Sequence, residues 1–344
     1  MRRLVPWHRL ALATAGLIAT PLVGQAPRLV PASAPRSPAT KINVAILRMQ
    51  VQLDRAGFGP GVIDGRDGRF LTAAAKGFQI SRGLRVTGEL DVATQSELKK
   101  DNAPALIMMV LKDEALAADY APAIPSKIAD QAALPSLGYR NLLERLAERF
   151  HTTPQVLLAL NPGLRFPKAG MELRLPGLIP TDRAYASNLS PQWRDTLATL
   201  NVGAQQPNGA KIVVVKSASL LKVYDAKDHL VAQFPATTGS EHDPLPIGNW
   251  KIKGTAFLPT YHYSPDLFWD AAATEKKAVV QPGPNNPVGV VWIDLDKPHY
   301  GIHGTPEPAL IGRSQSHGCV RLSNWDAARL AQMIGTDTRV IFAE

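Results

Sequence analysis

From Lys211 to Glu344 the chain alternates apolar and polar residues in short runs, punctuated by Gly, Pro, Asp and Asn. The runs are 211–215, 220–225, 229–235, 249–257, 288–295 and 339–342. Alternation at period two buries one face of a strand and wets the other. A mostly antiparallel sheet with little helix is therefore expected here. One helix is expected within it, over Asn324–Ile334, with Asn324 as its cap.

Upstream of Lys211 the period changes. Over 42–100, Val44, Leu47 and Val51 recur at helical spacing, as do Phe70, Ala74 and Phe78. A third short helix starts at Asp91, whose carboxylate can cap it. The loop Gly57–Gly65 can fold tightly because glycines permit it. The run Asp64-Gly65-Arg66-Asp67-Gly68 lacks the alternating oxygen ligands of a calcium loop and reads as a turn. Residues 101–136 are Ala- and Pro-rich and read as a connector. Over 137–177, Leu142, Leu146 and Phe150 share a helix face, and Thr153 caps a second helix with Pro154 at its first position. Met171–Leu175 alternates like an edge strand, and 178–210 reads as a linker. The expected class is multidomain α+β.

Arg2, Arg3 and Arg9 precede an apolar stretch from Leu10 to Val23, the layout of an export signal over 1–26. About fourteen residues are too few to span a bilayer core comfortably, so cleavage is expected. A Pro-, Ala- and Ser-rich tether follows over 27–41. The expected location is the cell envelope or periplasm, in contact with the wall. The net charge of +9 and pI of 9.6 favour an acidic partner. No basic run with interleaved aromatics is present, so nucleic acid is not the expected one.

The chain has a single cysteine, so it cannot form an internal disulfide. A lone thiol is most simply a small buried apolar residue. Its neighbours argue otherwise: His303-Gly304-Thr305 precedes Ser316-His317-Gly318-Cys319-Val320-Arg321. A thiol nucleophile needs a base or an electropositive setting. His303 lies far enough upstream for a loop to return it beside Cys319. His317 shares the face of Cys319 on an extended strand, and Gly318 permits a bend that aims successive N–H groups at one point. Arg321 can hold a thiolate or a substrate carboxylate.

Zinc is the alternative for His303, His317 and Cys319, but structural zinc takes four ligands at paired spacing, and no second cysteine exists. A serine hydrolase fits poorly, because Gly312-Arg313-Ser314-Gln315-Ser316 breaks the nucleophile-elbow pattern at its last position.

The C-terminal residues resemble the L,D-transpeptidase (YkuD) catalytic domain. The matching elements are Gly239, Pro246-Ile247-Gly248, Asn286-Pro287, Ile302-His303-Gly304-Thr305, Ile311-Gly312, Ser316–Arg321 and Gly335-Thr336. Ile247 departs from the family's usual threonine. Residues 42–100 resemble a three-helix peptidoglycan-binding domain, through Leu53, Gly57, Asp64-Gly65, Phe78-Gln79, Thr87-Gly88, Thr94 and Leu98. Residues 137–177 are similar to a small βααβ LysM module in Tyr139, Leu142, Phe150, Asn161, Gly170 and Leu173–Pro176, although its usual Gly-Asp-Thr opening is replaced by Asn141-Leu142-Leu143.

The resemblance implies a mainly-β catalytic unit over 211–344, with Cys319 as nucleophile and His303 as base, oriented by the Gly304 carbonyl. It implies an oxyanion site from the N–H groups of His317, Gly318 and Cys319, with Arg321, Ser316 and Thr305 on the substrate side. The implied reaction is acyl transfer from a tetrapeptide stem with loss of D-alanine, giving 3→3 cross-links, or hydrolysis or protein attachment if the acceptor differs. It implies no metal or cofactor, peptidoglycan as partner and acylation of Cys319 by carbapenems. A wall-binding scaffold without catalysis is the alternative reading. His242, His262, Tyr261, Tyr263 and Trp292 are further candidates to line the pocket.

Overall fold

Asn43 accepts the N–H groups of Ala45 and Ile46 and so caps α1 (Val44–Arg55). The computed structural model describes residues 42–116, 120–121 and 123–344; the expected export signal and tether lie outside the described residues. After α2 (Arg69–Ser81), Asp91 accepts the Thr94 N–H at 2.8 Å and opens α3 (Val92–Leu98). Asp64 Oδ1 accepts from the Arg66 N–H at 2.9 Å and from Gln50 Nε2 at 3.0 Å. The Asp64–Gly68 run is thus a turn tied back to α1.

Strand β1 (Leu106–Val110), the short helices α4 (Asp113–Leu116) and α5 (Ile128–Gln131), then α6 (Leu142–Arg149), α7 (Pro154–Leu160) and β2 (Glu172–Pro176) follow. The edge strand β2 pairs antiparallel with β1, Met108 opposite Arg174. Its partner thus comes from the stretch read as a connector. The run Leu-Ile-Met-Met-Val is continuously apolar, so periodicity gave no sign of a strand. Asn161 ties the end of α7 to β2, accepting from the Arg174 N–H at 2.7 Å and donating to its carbonyl at 2.9 Å. Phe150, Leu157 and Leu175 bury together with Leu47 and Val51 of α1. One face of α1 therefore packs into the core of the second N-terminal unit, while Leu53, Phe58, Leu71, Ala74, Phe78 and Leu98 form a separate cluster.

The stretch 178–210, expected as a linker, carries α8 (Pro191–Thr199), capped by Ser190. Trp193, Leu197, Leu200 and Val202 are buried in the core of the C-terminal unit. Burial of side chains of this size contributes about 2 kcal/mol each, so this segment is part of the fold. A helix of nine residues flanked by polar ones is too short to announce that from sequence.

The C-terminal unit contains β3 (Lys211–Val215), β4 (Leu220–Tyr224), β5 (Leu230–Pro235), β6 (Gly248–Phe257), β7 (Tyr261–Tyr263), β8 (Ala278–Val280), β9 (Val291–Leu295), β10 (Gly301–His303), β11 (Val320–Arg321), α9 (Asn324–Met333) and β12 (Arg339–Ala343). Eight of these strands form one sheet in the order β11-β10-β9-β6-β12-β3-β4-β5. Most pairs are antiparallel; β10 with β11 and β12 with β3 are parallel. The cap of α9 is Ser323, whose Oγ accepts the Asp326 N–H at 3.2 Å, and not Asn324. Asn324 is one residue inside the helix, and its side chain turns instead to the sheet.

The units are fastened at several places. Along the free edge of β5, Gln233 donates its N–H to Gly57 O at 3.0 Å and accepts from the Gly59 N–H at 2.8 Å. The α1–α2 loop so covers backbone groups that an edge strand leaves open. Deeper inside, Asp54 of α1 meets Arg329 of α9 at 2.6 Å and His151 at 3.1 Å. Burial alone would raise the Asp54 pKa, but Arg329 and His151 outweigh it and hold the carboxyl below its ordinary range. His151 also stacks on Trp325, 4.8 Å between centroids.

Candidate active site

The parallel pairing of β10 with β11 sets Ile302 opposite Val320 and His303 opposite Arg321. Cys319 lies two residues before Arg321. Side chains two apart along an extended chain share a face, so Cys319, Arg321 and His303 converge on the same side of neighbouring strands.

The loop from Gly304 to Gly318 is pinned at several points. Arg321 and Thr237 exchange backbone hydrogen bonds at 2.8 and 2.9 Å, and Thr237 Oγ1 accepts the Gly312 N–H at 2.7 Å. Thr305 is buried and accepts the Glu307 N–H at 3.3 Å. Ser316 donates from Oγ to the Cys319 carbonyl at 2.6 Å. Gly318 between them has φ +95°, and a Cβ there would come within 2.4 Å of Tyr300 Cε1. Both backbone and space demand glycine.

His303 is fully buried. Its Nδ1 is 2.6 Å from the Gly304 carbonyl. A carbonyl only accepts, so Nδ1 carries the proton and Nε2 presents a lone pair. Nε2 is buried without a hydrogen-bond partner among the described residues. Trp292 lies against the ring from β9, its cross-strand partner. Burial, then the Arg321 charge, lower the His303 pKa to about 3, against an opposing hydrogen bond to Gly304. Burial also lowers Arg321 to about 10, while the nearby Cys319 pulls it upward. Among the described residues, no three His, Cys, Asp or Glu side chains come together as a metal site.

The L,D-transpeptidase catalytic domain model matches residues 209–342, and the peptidoglycan binding domain model matches residues 43–98. A Bacillus licheniformis protein carrying the name L,D-transpeptidase YkuD is 30% identical over 200 residues, covering 58% of this chain and 91% of that protein. The chain belongs to the L,D-transpeptidase family. The Bacillus subtilis protein of the same name is 48% identical over 60 residues, 17% of this chain and 37% of its own. A crystal structure of L,D-transpeptidase 3 from Mycobacterium tuberculosis, with a faropenem-derived adduct, is 17% identical; it covers 40% of this chain and 61% of that one, with a TM-score of 0.31.

Further groups surround the thiol of this L,D-transpeptidase. His317 Nε2 is 3.1 Å from Asp270 Oδ1, and its ring packs edge-on to Phe268 at 5.0 Å. Cys319 Sγ donates to the His299 carbonyl at 3.7 Å. Asp270, His299 and Tyr300 escaped the sequence reading. The latter two sit directly before β10, and Asp270 lies in a stretch with no recognisable pattern.

The transpeptidase closes over its thiol. Cys319 is 1% exposed and belongs to an apolar cluster with Tyr261, Tyr263, Phe268, Trp292 and Leu137. Ile128 and Leu134 pack on the same cluster. The strap that carries them, residues 128–137, is clamped by hydrogen bonds from Leu137 N–H to Pro282 O at 3.0 Å and from Asn285 N–H to Leu137 O at 2.9 Å. Of the other candidate liners, His242 stacks on the exposed Trp269 at 4.4 Å. His262 is half-buried between Tyr261 and Tyr263, on the opposite face of β7.

Proposed function

We propose that this L,D-transpeptidase forms 3→3 cross-links in peptidoglycan through a thioester on Cys319. The observation that carries this reading is the tautomer of His303: its Nδ1 proton is committed to Gly304, which leaves the Nε2 lone pair free to act on the thiol two residues before Arg321, the cross-strand partner of His303. Cys319 is the nucleophile and His303 the base. A neutral imidazole of low basicity accepts the thiol proton as the carbon–sulfur bond forms. Sγ attacks the carbonyl of the third residue of a tetrapeptide stem. The oxyanion is met by the N–H groups of His317, Gly318 and Cys319, in the turn that Gly318 makes. The carbon–nitrogen bond to D-alanine then breaks, and His303 returns the proton to the leaving amine. A side-chain amine of a neighbouring stem attacks the thioester, forms the new amide and frees the thiol.

Arg321, Ser316 and Thr305 shape the donor side. Arg321 places a buried positive charge near the thiol, and Ser316 fixes the Cys319 carbonyl. The 43–98 unit holds the enzyme on the wall, and the βααβ unit acts as a LysM-like second grip. Linking binding units to a catalytic one raises the local concentration of stems. On this reading the protein works in the envelope after export, and carbapenems acylate Cys319.

The test is product analysis with a defined disaccharide tetrapeptide. A dimer lacking one D-alanine marks transfer, and a tripeptide marks hydrolysis. Cys319→Ala should lose all turnover and still pellet with wall sacculi; full turnover in that variant would sink the assignment.

A further inference from the structure

The fully buried side chain of Asn324 sits where distant parts of the chain meet. Its Oδ1 accepts the Val290 N–H at 3.1 Å. The same oxygen lies so close to the backbone of Gly289 and Gly304 that a Cβ there would come within 2.0 and 2.2 Å of it. Its Nδ2 donates to the Pro284 carbonyl at 3.0 Å and to Glu148 Oε1 at 2.8 Å. Glu148 is on α6, in the βααβ unit. Gly304 supplies the carbonyl that receives the Nδ1 proton of His303.

Direct contacts therefore run from Glu148 through Asn324 and Gly304 to the imidazole. We propose that Asn324 and Glu148 are positioning residues for His303, coupling the βααβ unit to the base of the reaction. The proposal rests on His303 being that base. Asn324 fixes the β9–β10 backbone from beneath and so sets where the Gly304 carbonyl points. Glu148 fixes Asn324, because an amide with both ends engaged cannot rotate. Glycine at 289 and 304 leaves room for that side chain. Burial raises the Glu148 carboxyl to about 7, despite hydrogen bonds with Tyr139 and Asn324 that pull it down. A carboxyl kept at such a position costs stability that an apolar residue would not.

Cys319 is the chain's one thiol, so the rate of iodoacetamide labelling across pH, read by intact mass, reports the Cys319–His303 pair without turnover. The full chain is compared with His303→Ala, Asn324→Ala, Glu148→Leu and Glu148→Gln, with melting curves as the control for folding. The expected result is a displaced pH midpoint in Asn324→Ala and Glu148→Leu, with labelling near neutrality slowed roughly tenfold to a hundredfold. The same two variants should lower kcat with KM unchanged. Glu148→Gln, which keeps the acceptor for Asn324, should retain the wild-type profile. Should Asn324→Ala not fold, Glu148→Leu carries the test, since Asn324 then keeps the bond from Val290 and loses only its acceptor on α6. Wild-type profiles in Asn324→Ala and Glu148→Leu, beside a changed His303→Ala, overturn the proposal and leave the base in place. Equal losses in Glu148→Gln and Glu148→Leu also overturn it. An unchanged His303→Ala removes the base itself, and this proposal with it.

Discussion

The indole of Trp292 lies on the imidazole of His303, with ring centroids 5.5 Å apart and planes 21° from parallel. Together with the Gly304 hydrogen bond, this leaves the imidazole one orientation, and Nε2 one direction. Trp292 is buried, so Trp292→Ala should cost about 3–5 kcal/mol of stability by opening a cavity. Trp292→Phe keeps a ring on the imidazole and should retain most turnover. Chemical denaturation and D-alanine release measure the two effects; equal activity in both variants would deny the stacking any role.

His303 should stay neutral well into acid. Its folded pKa of about 3 lies below the ordinary histidine value of 6.5 through burial first and Arg321 second. The native state thus binds fewer protons than the unfolded one between those values. Stability from this residue is present above pH 6.5 and is lost as pH falls towards 3. Nitrogen NMR of the labelled ring should show the Nδ1–H tautomer at pH 5, and an imidazolium signal there contradicts it.

Much of this was readable from the chain, and the gaps have physical causes. Period-two runs announced β3, β4, β5, β6, β9 and β12 because alternation is a one-dimensional signal. Strands β10 and β11, which bring His303 to Arg321, are too short to show any period. The cap of α9 is Ser323 where the sequence pointed to Asn324, because both residue types cap well and only the fold decides which one faces the helix. The role of Asn324 against Gly289, Gly304 and Glu148 depends on contacts between segments far apart in sequence, to which a sequence pattern is blind. Helix α8 was hidden for the same reason: Trp193 and Leu197 are buried by the sheet, not by their neighbours.

Gly318→Ala should abolish transfer. The substitution must adopt φ +95° and meet Tyr300, so the turn opens and the N–H groups lose their common aim. Loss of one oxyanion donor typically lowers kcat by about 100- to 1,000-fold. Adding Tyr300→Ala removes the clash but not the backbone conflict, and should leave the defect largely in place. Recovery of wild-type turnover in the double variant would refute the backbone argument.

The strap over Cys319 should control access to it. Ile128 and Leu134 hold it to the apolar cluster, so Ile128→Ser with Leu134→Ser should speed iodoacetamide labelling of Cys319 without changing its pH midpoint. An unaltered rate would mean that reagents enter by another route.

Glu148 should make the protein less stable as pH rises. Its folded pKa of about 7, raised by burial, exceeds the unfolded value of 4.5, so the native state holds the extra proton. Stability falls between those values by about 3 kcal/mol from this group alone, from the shift in pKa. Glu148→Gln lacks that component, and urea midpoints at pH 5 and pH 8 should differ less in the variant than in the wild type. A larger difference in the variant would reverse the sign of the argument.

The pairing of Gln233 with Gly57 and Gly59 has a practical consequence for anyone shortening this chain. A fragment beginning near Lys211 would expose a bare strand margin, ready to stick to its own copies. The loop after α1 is thus a built-in seal, and a well-behaved fragment has to keep the helices that hold it.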